Sequence, residues 1–366
     1  MLPSLKIKDF VLRVPIIQGG MGAGVSMAPL AGAVAKEGGM GVLSSVALDI
    51  LTSRRVGKQL DTQQATRREI EDAKALANGG VIGINIMVAL FRDYADAVKG
   101  ALDAKVDAII SGAGLPVHLP EIVSSYKSKA KTALIPIVSS GRALDIICKR
   151  WKRFGFLPDA VIVEGPLAGG HLGWKDLKDI EKEENKLENL LTDVLETTKN
   201  YGNIPVIAAG GIYTHEDIVR ILKMGASGVQ MGTRFLATEE SSATDEFKQA
   251  VVNCTKEDII VAYRPGSPCG MLFRLIKQSP MYQDALQQKR PCLCNLGYVK
   301  FKNYCPAMDN NKDYFCICNG LITSTSYFDG SDEKPLFTVG SNAYRVDKIL
   351  SVKGLMKELV HGKAFN

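Results

Sequence analysis

Eight short apolar runs constrain this chain more than any other feature. Each is broken by a turn rich in glycine or serine, and helical segments alternate with them. They occupy residues 14–17, 40–43, 81–86, 107–110, 133–138, 160–164, 204–209 and 227–231. The runs are continuous rather than alternating, which is the pattern of strands buried on both faces of a parallel sheet. Eight of them in β-α-β-α order make a (β/α)8 TIM barrel of the α/β class the expected fold. A doubly wound open sheet is the alternative, and it usually has fewer strands. In a barrel the site forms where the strands end, and nearly every Gly/Ser-rich turn of this chain falls there.

At 366 residues the chain exceeds a minimal barrel. The expected division is a barrel over 1–255, a cap and cysteine-rich segment over 256–339, and a C-terminal helix within 340–366 that packs back on the barrel. Helical spacing is read over 27–36, 62–78, 90–104, 239–252 (as the closing helix of the barrel), 272–288 and 346–357. The segment 175–184 is a charge run, expected to be solvated. A hydrophobic content of 46% supplies a large core, and the net charge of +6 is scattered, which argues against a nucleic-acid partner. No apolar run reaches the roughly 18–20 residues that span a bilayer. The first residues carry no apolar leader core, so a cytoplasmic setting is expected; the oligomeric state stays open.

The strongest chemical signals follow the seventh and eighth runs. Ala209-Gly210-Gly211-Ile212 opens a helix near Thr214, and Gln230-Met231-Gly232-Thr233-Arg234-Phe235 follows the last run. Barrels commonly hold a phosphate between these two loops, because glycine turns bare their backbone N–H groups and a helix N-terminus favours an anion. The Thr233 hydroxyl offers a further donor. After the first run, Gln18-Gly19-Gly20-Met21 pairs glycines with a carboxamide, and Asn85 ends the third. A carboxamide donates and accepts, which suits the edge of a flavin, while glycines admit its face. The sixth run ends in Glu164-Gly165-Pro166-Leu167-Ala168-Gly169-Gly170-His171, a turn that delivers one imidazole. His118, His215 and His361 are read as structural by default.

Six segments together resemble the nitronate monooxygenase family, formerly 2-nitropropane dioxygenase, and share their pattern with flavin-type enoyl-acyl-carrier-protein reductases. They are Pro15 through Gly22, Gly83 through Met87, Ser111 through Pro116, Glu164 through Gly173, Ile204 through Ile212, and Gln230 through Phe235. The resemblance implies a TIM barrel that binds FMN non-covalently. It implies cofactor contacts at Asn85, Gly211, Gln230, Met231, Gly232 and Thr233 and a catalytic His171, and Gly19, Gly20, Met21, Glu164, Gly170 and Gly210 complete the expected cofactor-binding set. The implied activity is oxidation of alkyl nitronates, a small-molecule substrate, with O2. NAD(P)H enters as a partner under the reductase alternative, and a flavin- or metal-binding sensor or electron-transfer subunit is the alternative of another class. The chain departs from the family's pattern at Leu190-Leu191-Thr192-Asp193-Val194, where a Leu-Val-Pro-Gln-like segment is usual.

Ser267-Pro268-Cys269-Gly270-Met271 and Gly340 through Arg345 resemble a branch with a cysteine-bearing C-terminal segment. Five of the eight cysteines, Cys292, Cys294, Cys305, Cys316 and Cys318, fall in that segment. They are a candidate ligand set for zinc or an iron–sulfur cluster. Their spacing lacks the two-residue spacer of common knuckles and ferredoxins, and reduced thiols are the alternative.

Overall fold

The computed structural model describes residues 2–89, 93–126, 131–289, 298, 304–308, 313–328 and 332–362. Eight parallel strands close into a barrel: β1 (Ile16–Gln18), β2 (Met40–Ser44), β3 (Val81–Met87), β4 (Ala108–Gly112), β5 (Ala133–Val138), β6 (Val161–Glu164), β7 (Val206–Ala209) and β8 (Gly228–Met231). Each strand pairs with its sequence neighbours, and β8 returns to β1 through Val229↔Ile16, Gln230↔Ile17 and Met231↔Gln18. The open-sheet alternative is thereby excluded. Inward residues such as Ile17, Val42, Ile110, Ile135, Ile162 and Ile207 fill the lumen, while outward ones pack under the helices. Burial on both sides is why the strands read as continuous apolar runs.

A hairpin of Leu5–Ile7 and Phe10–Leu12 precedes the barrel, and Leu5, Ile7 and Leu12 join the lumen cluster, plugging the end opposite the site. The helices start where local chemistry lets them. Asp61 and Gln64 form a reciprocal cap on Thr62–Leu76, Thr214 and Asp217 do so on His215–Lys223, and Ser140 caps Gly141–Trp151. Among the described residues no helix is long and apolar enough to cross a membrane.

Two sequence expectations are corrected after the barrel strands. The segment 272–288 is not one helix: Phe273–Ile276 is a strand, β10, and the helix is confined to Pro280–Leu286. β10 pairs antiparallel with β9 (Ile259–Ala262) on one side and with the two-residue strand Gly170–His171 on the other. Backbone partners on both edges override a helical periodicity, and Pro280 in the first turn starts the helix afresh. The helix Asp245–Asn253 does not close the barrel either, because Phe247 and Val251 pack into a separate cluster where Phe247 stacks on Phe337 at 4.9 Å. Val352–His361 packs instead against Ala28–Lys36 and His215–Lys223, with Val352, Leu355, Met356 and Leu359 buried in the main core. The eighth helix of the barrel thus comes from the far end of the chain.

The approach of Ala28–Lys36 to β2 depends on Gly41, where a Cβ would stand 1.7 Å from the Ala31 carbonyl oxygen. That oxygen is backbone and cannot swing away. Gly41→Ala is therefore expected to lower the unfolding free energy by about 1–3 kcal/mol or more, measured as a fall in the urea midpoint. Gly57→Ala, where nothing lies within 4 Å, provides the comparison at a positive φ of 67° and should cost less.

Candidate active site

The C-terminal ends of the strands and the chain after β8 enclose a cavity of about 850 Å3. Of the residues expected to meet a ligand from the sequence, these border it: Gly19, Gly20 and Met21 after β1, Asn85 on β3, Glu164 on β6, Gly170 and His171 in the following loop, Gly210 and Gly211 after β7, and Gln230, Met231, Gly232 and Thr233 at β8, with Cys318 of the five cysteines. The parallel register brings the strand-end positions to one rim.

One pole of the cavity lies between the loops after β7 and β8. Gly210 and Gly211 both have positive φ, 96° and 83°, and a Cβ on Gly210 would stand 2.8 Å from the Gly165 oxygen. Only glycine allows this turn to fold so tightly against the β6 loop. Asn342 Nδ2 donates to the Gly211 oxygen at 2.6 Å, and the Gly340 amide donates to Thr233 Oγ1 at 2.9 Å. The Thr233 hydroxyl proton is left available to a ligand. Arg234 and Arg345 stand over the Tyr213 ring at 4.4 and 4.3 Å, and Arg234, which borders the cavity, is paired with Glu358 at 2.9 Å. Gln230 is only 8% exposed, and its Oε1 has no hydrogen-bond partner. A buried acceptor of this kind costs about 1–3 kcal/mol unless a ligand donates to it.

The other pole carries the ionisable groups. Glu164 ends β6 opposite Ala209. Its carboxyl is pushed up to about 7 by burial, against the opposing charge of His171. Arg274 Nη1, on β10, donates to the carbonyls of Pro166 at 2.6 Å and Ala168 at 2.5 Å, and fixes the loop between Glu164 and His171. Burial lowers the Arg274 guanidinium to about 10. His171 pairs with Phe273, whose ring meets the imidazole edge-on at 4.9 Å and 88°.

The carboxamide of Gln18 is a correction. It is fully buried in the barrel wall, donating to Ser26 Oγ at 2.9 Å and the Val42 oxygen at 3.1 Å and accepting from Val42 N at 3.0 Å, so it faces no ligand. The departing segment Leu190 through Val194 lies on the helix Leu187–Lys199 outside the barrel, where Leu190, Leu191 and Val194 are buried and Asp193 Oδ2 accepts from Gly141 N at 2.6 Å. His118 is exposed beside Glu121, and His215 Nδ1 meets the Leu359 oxygen at 2.9 Å. The metal expectation finds no support: among the described residues no three His, Cys, Asp or Glu side chains gather as a ligand set. Cys305, Cys316 and Cys318 are described; Cys292 and Cys294 lie outside the described residues.

Sequence reasoning missed Cys269, Gly340 and Asn342, which also border the cavity. Their signal was the two motifs beyond the barrel, Ser267 through Met271 and Gly340 through Arg345, whose place in space the sequence does not reveal.

A family model described as nitronate monooxygenase matches residues 4–362. A probable nitronate monooxygenase of Staphylococcus haemolyticus (strain JCSC1435) is 28% identical over 272 residues, 68% of this chain and 72% of that protein. Another, of Staphylococcus aureus (strain N315), is 26% identical over 303 residues, 74% and 79% respectively. Among solved structures, FabK from Thermotoga maritima superposes with a TM-score of 0.69 at 26% identity, over 98% of this chain and 93% of that one. A nitroalkane oxidase from Streptomyces ansochromogenes shares the fold, with a TM-score of 0.65 at 23% identity over 95% of each chain.

The Glu164 carboxyl gives the site a pH signature. In the folded chain it keeps its proton up to about 7, whereas an unfolded chain releases it near the ordinary value of 4.5. The native state binds more protons across that window, so its stability falls as pH rises through it. Glu164→Gln stays neutral at every pH. In urea unfolding of the cofactor-free protein, its advantage over the parent should grow from pH 4.5 to pH 7, by on the order of 3 kcal/mol, and then level off. A pH-independent difference would mean that burial does not raise the Glu164 carboxyl above its unfolded value.

Proposed function

The chain belongs to the nitronate monooxygenase family and is a flavin-dependent oxidoreductase, and from that premise we propose that it binds FMN and oxidises an alkyl nitronate with O2. The observation that carries this reading is one cavity bordered by both the anion-seeking glycine loops and the imidazole. Its volume of about 850 Å3 is within the usual range for a small-molecule site.

The residues present fit FMN. Gly210, Gly211, Gly232 and Thr233 would hold the phosphate, and the unpartnered Gln230 Oε1 supplies an acceptor that a ligand donor would satisfy. Gly19, Gly20, Met21 and Asn85 would flank the ring. A side chain on Gly20 would overlap Asn85, whose Cβ would lie 2.5 Å from it, so this wall is flat of necessity. When bound, the flavin supplies the redox chemistry, and the protein supplies binding, orientation and electrostatics.

His171 has two tasks in this scheme. A neutral ring nitrogen takes the proton from the carbon bearing the nitro group, and the resulting N–H then donates to the nitronate oxygens. Phe273 holds the ring plane, and the Arg274 clamp holds the loop that carries it. Met87, Leu115, Ile137 and Trp174 line the remaining wall and exclude water from the apolar part of a substrate. A second reading, reduction of an enoyl thioester with NAD(P)H, is supported by the likeness to FabK.

Anaerobic mixing of the FMN-loaded protein separates the two. An alkyl nitronate is expected to bleach the flavin, and bleaching by NADH or NADPH alone would move the assignment to the reductase. His171→Ala should slow bleaching by a neutral nitroalkane about 10²–10⁴-fold, the usual range for a lost general base, while FMN stays bound. Loss of FMN from that variant would instead make His171 a cofactor ligand.

A further inference from the structure

Cys269 borders the same chamber, and the reaction proposed above gives it no task. Its place follows from β10. Phe273 is in register with His171, and Leu172 N donates to the Leu272 oxygen at 2.9 Å, so the turn that enters β10 is drawn against the His171 loop. There the Cys269 Sγ lies 2.8 Å from Ser267 Oγ, and Cys269 and His171 border the same cavity. A thiol backed by a hydroxyl thus shares one ligand-sized cavity with an imidazole. Gln230, 8% exposed with an unpartnered Oε1 at the wall of that cavity, shows that the chamber is built to hold a polar ligand, a point this inference shares with the reading above.

The surroundings treat this thiol unlike others in the chain. Burial works against the Cys269 thiolate, but the charge and hydrogen bond of His171, helped by Ser267 and the Met271 backbone, outweigh it and bring the thiol down to about 7. Burial drives Cys148 up to about 12 and Cys254 up to about 11. Glu164 on β6 also feels the charge of His171, and Arg274 on β10 is turned to the carbonyls of Pro166 and Ala168. Nucleophilicity follows thiolate character and access together, and Cys269 has both.

We propose that Cys269 and His171 form a thiol–imidazole pair that adds covalently to electron-poor alkenes entering the cavity, those with a C=C bond conjugated to a nitro or carbonyl group. The step balances without an oxidant or a second substrate. The Cys269 proton passes to His171, and Sγ forms a bond to the β-carbon. The π pair moves to the α-carbon and its nitro or carbonyl group, and His171 returns the proton to the α-carbon. The product is a thioether adduct, and the imidazole is regenerated. Because neither FMN redox chemistry nor a nitronate takes part, the proposal stands or falls separately from the activity above.

The test uses the FMN-loaded protein with N-ethylmaleimide and, separately, 1-nitrocyclohexene, followed by intact mass and peptide mapping. Cys269 is expected to be alkylated well ahead of Cys148 and Cys254, with a rate that rises with pH through a midpoint near 7. Cys269→Ser should lose this adduct and keep the bound-flavin spectrum. In His171→Gln the midpoint should move up by more than one pH unit, and the rate at pH 7 should fall about fivefold, since the lost thiolate is partly offset by its greater intrinsic nucleophilicity. Labelling of Cys269 no faster than that of Cys148 and Cys254 would overturn the proposal. A wild-type midpoint near the ordinary thiol value of 9 would do so too, whether or not the His171 variant folds.

Discussion

The seam between β8 and β1 is the constraint on which the rest depends. By pairing Gln230 with Ile17 and Met231 with Gln18, it turns a sheet with two raw edges into one with none. It also sets the glycines after β1 beside the ligand-facing end of β8, where the Gly19 amide donates to the Met231 oxygen at 2.9 Å. The adjoining joint is thinner: β1 and β2 share a single register pair, Ile17↔Met40. Gln18 compensates with its side chain, whose carboxamide bonds both the N–H and the carbonyl of Val42 as a neighbouring peptide unit would. A residue that looks like a ligand contact is thus a piece of the ladder.

The cavity above this seam is divided electrostatically. Near the loops after β7 and β8, Arg234 and Arg345 stack on Tyr213, whereas Glu164, His171 and Cys269 form a partly buried group. Burial alone would neutralise both acids. The imidazole charge favours the anion at each of them, which makes His171 the element through which carboxyl and thiol sense one another. That coupling is local, since all three hang on two neighbouring backbone segments.

The barrel was legible because its signal is short-range. Eight buried strands leave eight apolar runs, and parallel register carries their turns to one rim whatever lies between them. The same logic brought Asn85, His171, Gly211 and Thr233 to the cavity from their positions in sequence. What was not legible arises from partners distant in the chain. Residues 272–288 have helical spacing, yet Phe273–Ile276 finds a strand on each side. The helix Val352–His361 fills the place assigned to 239–252 because Phe247 has Phe337 to stack on. Cys269 was seen as part of a motif but not as a site residue, for nothing local announces that it meets an imidazole 98 positions earlier.

Arg274 gives this arrangement a heritable consequence. Its side chain holds Pro166 and Ala168, so the shape of the loop bearing His171 is written partly in a strand more than a hundred residues downstream. Loop and strand form a single cassette split across the sequence. Exchanging one half alone for a sequence without the arginine would leave the carbonyls of Pro166 and Ala168 without this donor.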